Sequence, residues 1–170
     1  MARAVILLDR VAALWALAGG GLLLGVVALT MANVATVAAD RVAGLFGASV
    51  SAISGYEELV GLLVGAGAFM LLPYCQLRRG HVVVDLVLRR ARPRIRHAVD
   101  RTCAGLFALA AALLAVMLAR GAIEGAEDGI ASRVLALPDW PFQVPAVVSL
   151  ALWALVAARL SLGPPPPADA

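Results

Sequence analysis

The chain has 170 residues, of which 62% are hydrophobic and 15% charged, with a mean hydropathy of +0.93 and a formal net charge of +3. That is far more apolar side chain than a soluble domain of this length can bury, so lipid must be the solvent for most of it. The basic residues crowd between Arg78 and Arg101 without interleaved aromatics. That pattern suits anionic lipid headgroups and disfavours a nucleic-acid partner.

The first apolar run, about 11–39, exceeds the ~20 residues that cross a ~30 Å hydrocarbon core, which predicts a tilted or protruding helix. Val37-Ala38-Ala39 before Asp40 resembles a cleavage site. The run is, however, about twice a usual signal-peptide core of 7–15 residues, so it reads as a retained span. Thr30, Asn33 and Thr36 recur at steps of three and are expected to hydrogen-bond a neighbouring helix. The second span, about 53–77, opens on Ser54-Gly55-Tyr56-Glu57, a capping-box pattern that predicts a helix start near Ser54. Glu58 shares a helical face with Gly61, Gly65 and Phe69. Gly61 and Gly65 form a GxxxG pair, as do Gly21 and Gly25 in the first span, so the two spans are expected to pack on each other or one of them on a partner subunit. Glu57 and Glu58 suit a helix N-terminus, and a coupling-ion site is the weaker reading because such sites lie near the bilayer midplane.

Between the second and third spans, about 80–92, His81, Asp85 and Arg89 recur at i+4 opposite Val83, Leu86 and Val87. This predicts an amphipathic helix in the membrane interface, held by Arg78, Arg79, His81, Asp85, Arg89 and Arg90. The third span is expected at about 97–120 and the fourth at about 141–160, the latter entered through Asp139 as a cap, Trp140 at headgroup level and Pro141 in the first turn. A polyproline tail, 163–170, should be disordered. Arg3 and Arg10 precede the first span, Arg78 through Arg101 lie in the second connection and Arg159 ends the fourth, which places both termini and that connection in the cytoplasm. The expected fold is therefore an all-α membrane protein of four spans plus one interfacial helix, with N and C termini inside. Cys75 and Cys103 are expected to be buried free thiols near the cytoplasmic boundary, with no disulfide and no metal site.

No phosphate loop, nucleophile with a base, metal-ligand cluster or haem motif occurs, so neither an enzyme nor a cofactor is expected. The midplane carries no charge, which disfavours a self-sufficient transporter working as a homodimer. His81 and His97 both fall at the boundary, which disfavours a cytochrome anchor.

The order of these features has a counterpart among known families. An acidic pair opens the second span, glycines stand midway, Arg78-Arg79-Gly80-His81-Val82-Val83-Val84-Asp85-Leu86 follows, and Leu137-Pro138-Asp139-Trp140-Pro141-Phe142-Gln143-Val144-Pro145 enters the fourth. The chain resembles the small membrane (Q) subunit of tripartite ATP-independent periplasmic (TRAP) transporters along essentially its whole length. The resemblance implies a bacterial inner-membrane scaffold for a large many-span subunit that holds sodium and organic-acid sites, served by a periplasmic substrate-binding protein. It also implies helix contacts through Glu58, Gly61 and Gly65, an arm fixed by His81, Asp85 and neighbouring Arg residues, and an outer entry to the fourth span set by Trp140 and Pro145. Pro93 would end the arm early, and the length leaves no room for a fused large subunit, so a separate partner is expected.

Overall fold

The computed structural model describes residues 2–47, 49, 54–78 and 93–162. The interfacial arm expected at 80–92, with Arg79, His81, Asp85, Arg89 and Arg90, and the tail at 163–170 lie outside the described residues. Within them the chain forms four helices: α1 (Ala2–Gly44), α2 (Tyr56–Leu77), α3 (Pro93–Glu127) and α4 (Trp140–Leu162). Each contains an uninterrupted stretch long and apolar enough to cross a membrane. The 22 residues of α2 and 23 of α4 are ~33–35 Å long, close to the ~30 Å of a hydrocarbon core.

The helices run antiparallel in sequence, and α2 and α4 form the middle: α1 packs on α2, α2 on α4, and α4 on α3. Large apolar side chains such as Leu17, Leu24, Leu106 and Met117 face outward, while the contact surfaces are built from small residues, with Ala12, Ala66, Ala104, Ala111, Ala146 and Ala157 all buried. This inversion is what lipid permits. Without a hydrophobic drive between helices, close approach of backbones supplies the packing energy, and small side chains allow it.

α1 and α2 approach each other closely at two glycines. A Cβ at Gly19 would stand 2.6 Å from Met70 Cβ and 3.0 Å from the Gly67 carbonyl oxygen. A Cβ at Gly67 would lie 2.9 Å from Leu23. The two GxxxG pairs behave otherwise, since a Cβ at Gly21, Gly25, Gly61 or Gly65 would meet nothing within 4 Å. Of the two expected arrangements, the one that sets one GxxxG pair against the other is thereby corrected: α1 and α2 do pack together, but through Gly19 and Gly67, which belong to neither pair.

At one end α1 outruns its neighbour. The Tyr56 hydroxyl, at the start of α2, hydrogen-bonds Thr30 Oγ1 at 2.9 Å, and Met31 to Gly44 continue past that level as helix for ~21 Å.

Candidate functional site

The two ends of the bundle differ in charge. Glu57, Glu58, Glu124, Glu127, Asp128 and Asp139 gather at the end that carries the α1–α2 and α3–α4 connections, here the acidic end. The start of α1 and the end of α4, with Arg78, Arg101 and Arg159, mark the opposite, basic end.

At the acidic end the first turn of α2 is built differently from a capping box. Gly55 is the N-cap, in a left-handed conformation (φ 75°), and no side chain caps the helix. A left-handed N-cap cannot present Ser54 to the free N–H groups as a capping residue in extended conformation would, so the helix begins at Tyr56 rather than Ser54. Gly55 also accommodates a neighbour, since a Cβ there would fall 2.5 Å from Leu135 Cγ. Both conditions demand glycine.

Glu58 has a densely hydrogen-bonded carboxylate. Its Oε1 accepts the backbone N–H groups of Arg133 (3.0 Å) and Val134 (3.2 Å), and its Oε2 those of Val134 (3.1 Å) and Leu135 (3.3 Å). Three consecutive amides converging on one anion form a nest, filled here by a side chain from 75 residues away. The loop supplying them is folded in its own right. Ala131 and Pro138 pair in a single antiparallel bridge, Ser132 N–H donates to the Leu137 carbonyl at 2.8 Å, and Ala136 takes a positive φ of 51°. The carboxylate thus clasps the α3–α4 connection to the start of α2, a role that the expectation of helix-end stabilisation missed.

Beside the clasp, α2 and the loop line a wide-open groove of about 460 Å³ bordered by Glu57, Glu58, Gly61, Leu62, Arg133 and Asp139. Asp139 does not cap α4 with its side chain: Phe142 N–H donates to the Asp139 backbone carbonyl at 3.1 Å, while Asp139 Oδ1 is buried and takes no hydrogen bond. Among the described residues no group of three or more His, Cys, Asp or Glu is arranged to hold a metal ion. Cys75 and Cys103 are free thiols, half-buried rather than buried as expected, because each lies at the edge of its helix contact.

Within the bundle, polar side chains bind one another. Trp15 Nε1–H donates to Ser149 Oγ at 2.8 Å, and that hydroxyl donates to the Pro145 carbonyl at 2.6 Å. One turn on, Trp153 Nε1–H donates to Gln76 Oε1 at 3.3 Å, and the Trp153 ring lies 5.9 Å from that of Phe107. Ser149 and Trp153 therefore stitch α4 to α1 and α2. Of the three polar residues expected to bond across helices, Thr30 does so to Tyr56, whereas the Thr36 hydroxyl donates to the Asn33 carbonyl of its own helix. At the basic end Arg159 pairs with Asp9 and Arg101 Nε–H donates to the Ser161 carbonyl at 2.8 Å, a cation satisfying the last turn of α4. The Arg78 guanidinium lies over Tyr74, 5.5 Å from its centroid, with Nε–H on the phenol oxygen at 3.0 Å.

The remaining candidate residues are dispersed. Gly61 and Gly65 lie on an exposed strip of α2 with Glu57, Val64, Ala68 and Leu71, whereas Glu58 and Phe69 are half-buried at its edge. Trp140 is 43% exposed at the start of α4, and Pro145 lies inside that helix, its carbonyl held by Ser149.

A family model described as "Tripartite ATP-independent periplasmic transporters, DctQ component" matches residues 42–163. A mercuric reductase of Streptomyces lividans is 42% identical over 74 residues, which is 44% of this chain but 15% of that protein. The chain spans far less than two thirds of that relative, and a stretch so short transfers no activity. No solved structure matches.

Proposed function

Because the chain belongs to the DctQ family, the small membrane component of TRAP transporters, we propose that it is the non-catalytic scaffold of a sodium-coupled system importing an organic acid that a periplasmic protein delivers. The observation that carries this reading is the use made of polar groups. At membrane depth Trp15, Gln76, Thr30 and Ser149 are committed to contacts between the chain's own helices, and the Glu58 carboxylate is occupied by backbone amides. A solute path needs polar groups that exchange partners with the solute, and these side chains already have partners.

In this reading the acidic end faces the periplasm and both termini face the cytoplasm of a bacterial inner membrane, as the distribution of Arg favours. The large many-span subunit, which would carry the sodium and substrate sites, covers the bare Gly61–Gly65 strip of α2, where a partner backbone can approach closely. The segment with Arg78, Arg79, His81, Asp85, Arg89 and Arg90 lies along inner-leaflet headgroups. Trp140 and Pro145 frame the periplasmic entry of α4, near the docked binding protein.

The test is isolation of the tagged chain from native membranes in mild detergent, followed by mass spectrometry. A many-span partner recovered in fixed proportion is the expected result. Recovery as a homo-oligomer alone would overturn the proposal in favour of a self-sufficient transporter.

A further inference from the structure

We infer that the turn clasped by Glu58 is a binding site for a small monocarboxylate, which the chain occupies with its own side chain and which opens to a free anion when that side chain is withdrawn. The site is made of backbone. Three consecutive N–H groups, of Arg133, Val134 and Leu135, make four contacts of 3.0–3.3 Å with the two oxygens of Glu58, two to each. Nothing in these contacts involves the rest of the glutamate, so what the turn recognises is a planar anion with two oxygens. Nests of successive backbone amides capture free anions and terminal carboxylates in the same way.

The turn keeps this shape by bonds that leave Glu58 out. Ala131 and Pro138 pair across it, Ser132 N–H donates to the Leu137 carbonyl at 2.8 Å, and Ala136 N–H donates to the Ser132 carbonyl at 3.1 Å. They hold Ala136 at a φ of 51°, a left-handed conformation that a residue with a Cβ adopts only when its surroundings impose it. The amides therefore stay convergent when the carboxylate leaves, and the wide-open groove alongside admits a solute to them. The border of the groove also sets the charge of the ligand: Arg133 attracts one negative charge, whereas Glu57 and Asp139 repel a second. Glu58 is then a tethered competitor, present at an effective concentration in the roughly millimolar range or above, and it keeps the site shut in the native chain.

The test is hydrogen exchange of the purified full chain in detergent, read at Arg133, Val134 and Leu135 while sodium formate replaces sodium chloride at constant ionic strength. In Glu58→Ala, exchange at the three amides should rise roughly tenfold, the change that loss of one charge-assisted hydrogen bond brings. Formate should return it toward the native rate with a half-effect on the order of 10 mM, the weak end of small-ligand affinity. The native chain should not respond, because Glu58 already fills the nest. No effect of formate on the variant would overturn the inference, as would equal protection by chloride, or protection of the native chain by formate. The contacts of Gly19 with Met70 and of Trp15 with Ser149 lie well along the helices from the clasp, so the bundle keeps its fold in the variant. Should Glu58→Ala nonetheless unfold, Glu58→Gln leaves the amides a neutral and weaker occupant, which formate is expected to displace at several-fold higher concentration. Absence of displacement there overturns the inference equally.

Discussion

Gly67 and Gly65 stand two residues apart on α2, yet one faces the interior of the bundle and the other faces out. Gly67 lies against Leu22 and Leu23 of α1, with Gly19 and Met70 completing the contact, whereas Gly65 has nothing within 4 Å of where its Cβ would be. The same residue type therefore serves two interfaces. One is closed inside the chain, and the other is left open for what the chain meets in the membrane. The difference teaches that a small residue in a span records a close approach but not the identity of the approaching partner.

Substitutions at the two kinds of glycine break this comparison most sharply. Gly19→Leu has no room beside Met70 and should destabilise the purified chain by about 1–3 kcal/mol or more, as overpacking does, seen as a fall in its melting temperature in detergent. Gly65→Leu should leave that temperature unchanged and instead reduce recovery of the large subunit in a pull-down. An unchanged Gly19→Leu protein would show that α1 and α2 are not in contact, and a destabilised Gly65→Leu protein would show that its face is internal. Ser149→Ala, which strands the Trp15 N–H, should cost about 0.5–1.5 kcal/mol, measurable in the same melt. Smaller in its reach is Glu58→Gln, which keeps one acceptor oxygen: hydrogen exchange at Arg133, Val134 and Leu135 should accelerate while exchange in the cores of α2 and α4 stays as it was. If sodium-dependent uptake disappeared in that variant with the complex intact, Glu58 would be more than a clasp and the scaffold reading would fail.

How much of this was legible beforehand depends on distance along the chain. The four helices follow from apolar runs long enough to span a bilayer, a local property that each segment declares by itself. The resemblance to the TRAP small subunit was legible too, because it resides in the order of short local features. The clasp was not, since Glu58 and its three amides are 75 or more residues apart and backbone donors leave no trace in side-chain identity. Nor does a GxxxG pair state which way it faces, so Gly19 and Gly67, which belong to neither pair, were passed over. The capping box failed for a different reason. Ser54 and Glu57 have the right spacing, but Gly55 between them takes a left-handed conformation, and Leu135 packs where a Cβ would stand.

The hydrogen bond between Trp15 and Ser149 joins residues separated by 134 positions, the first membrane helix to the last. At ~5–20 residues per second of translation, α1 is made roughly 7–27 s before its partner on α4 exists. During that interval its indole N–H and the face that will meet Ser149 are in the company of lipid, the insertion machinery or other nascent helices. The bundle is therefore closed by its last piece, and a ribosome stalled in the α3–α4 connection would leave a chain whose first helix still lacks its final contact, a ready signal for quality control in the membrane.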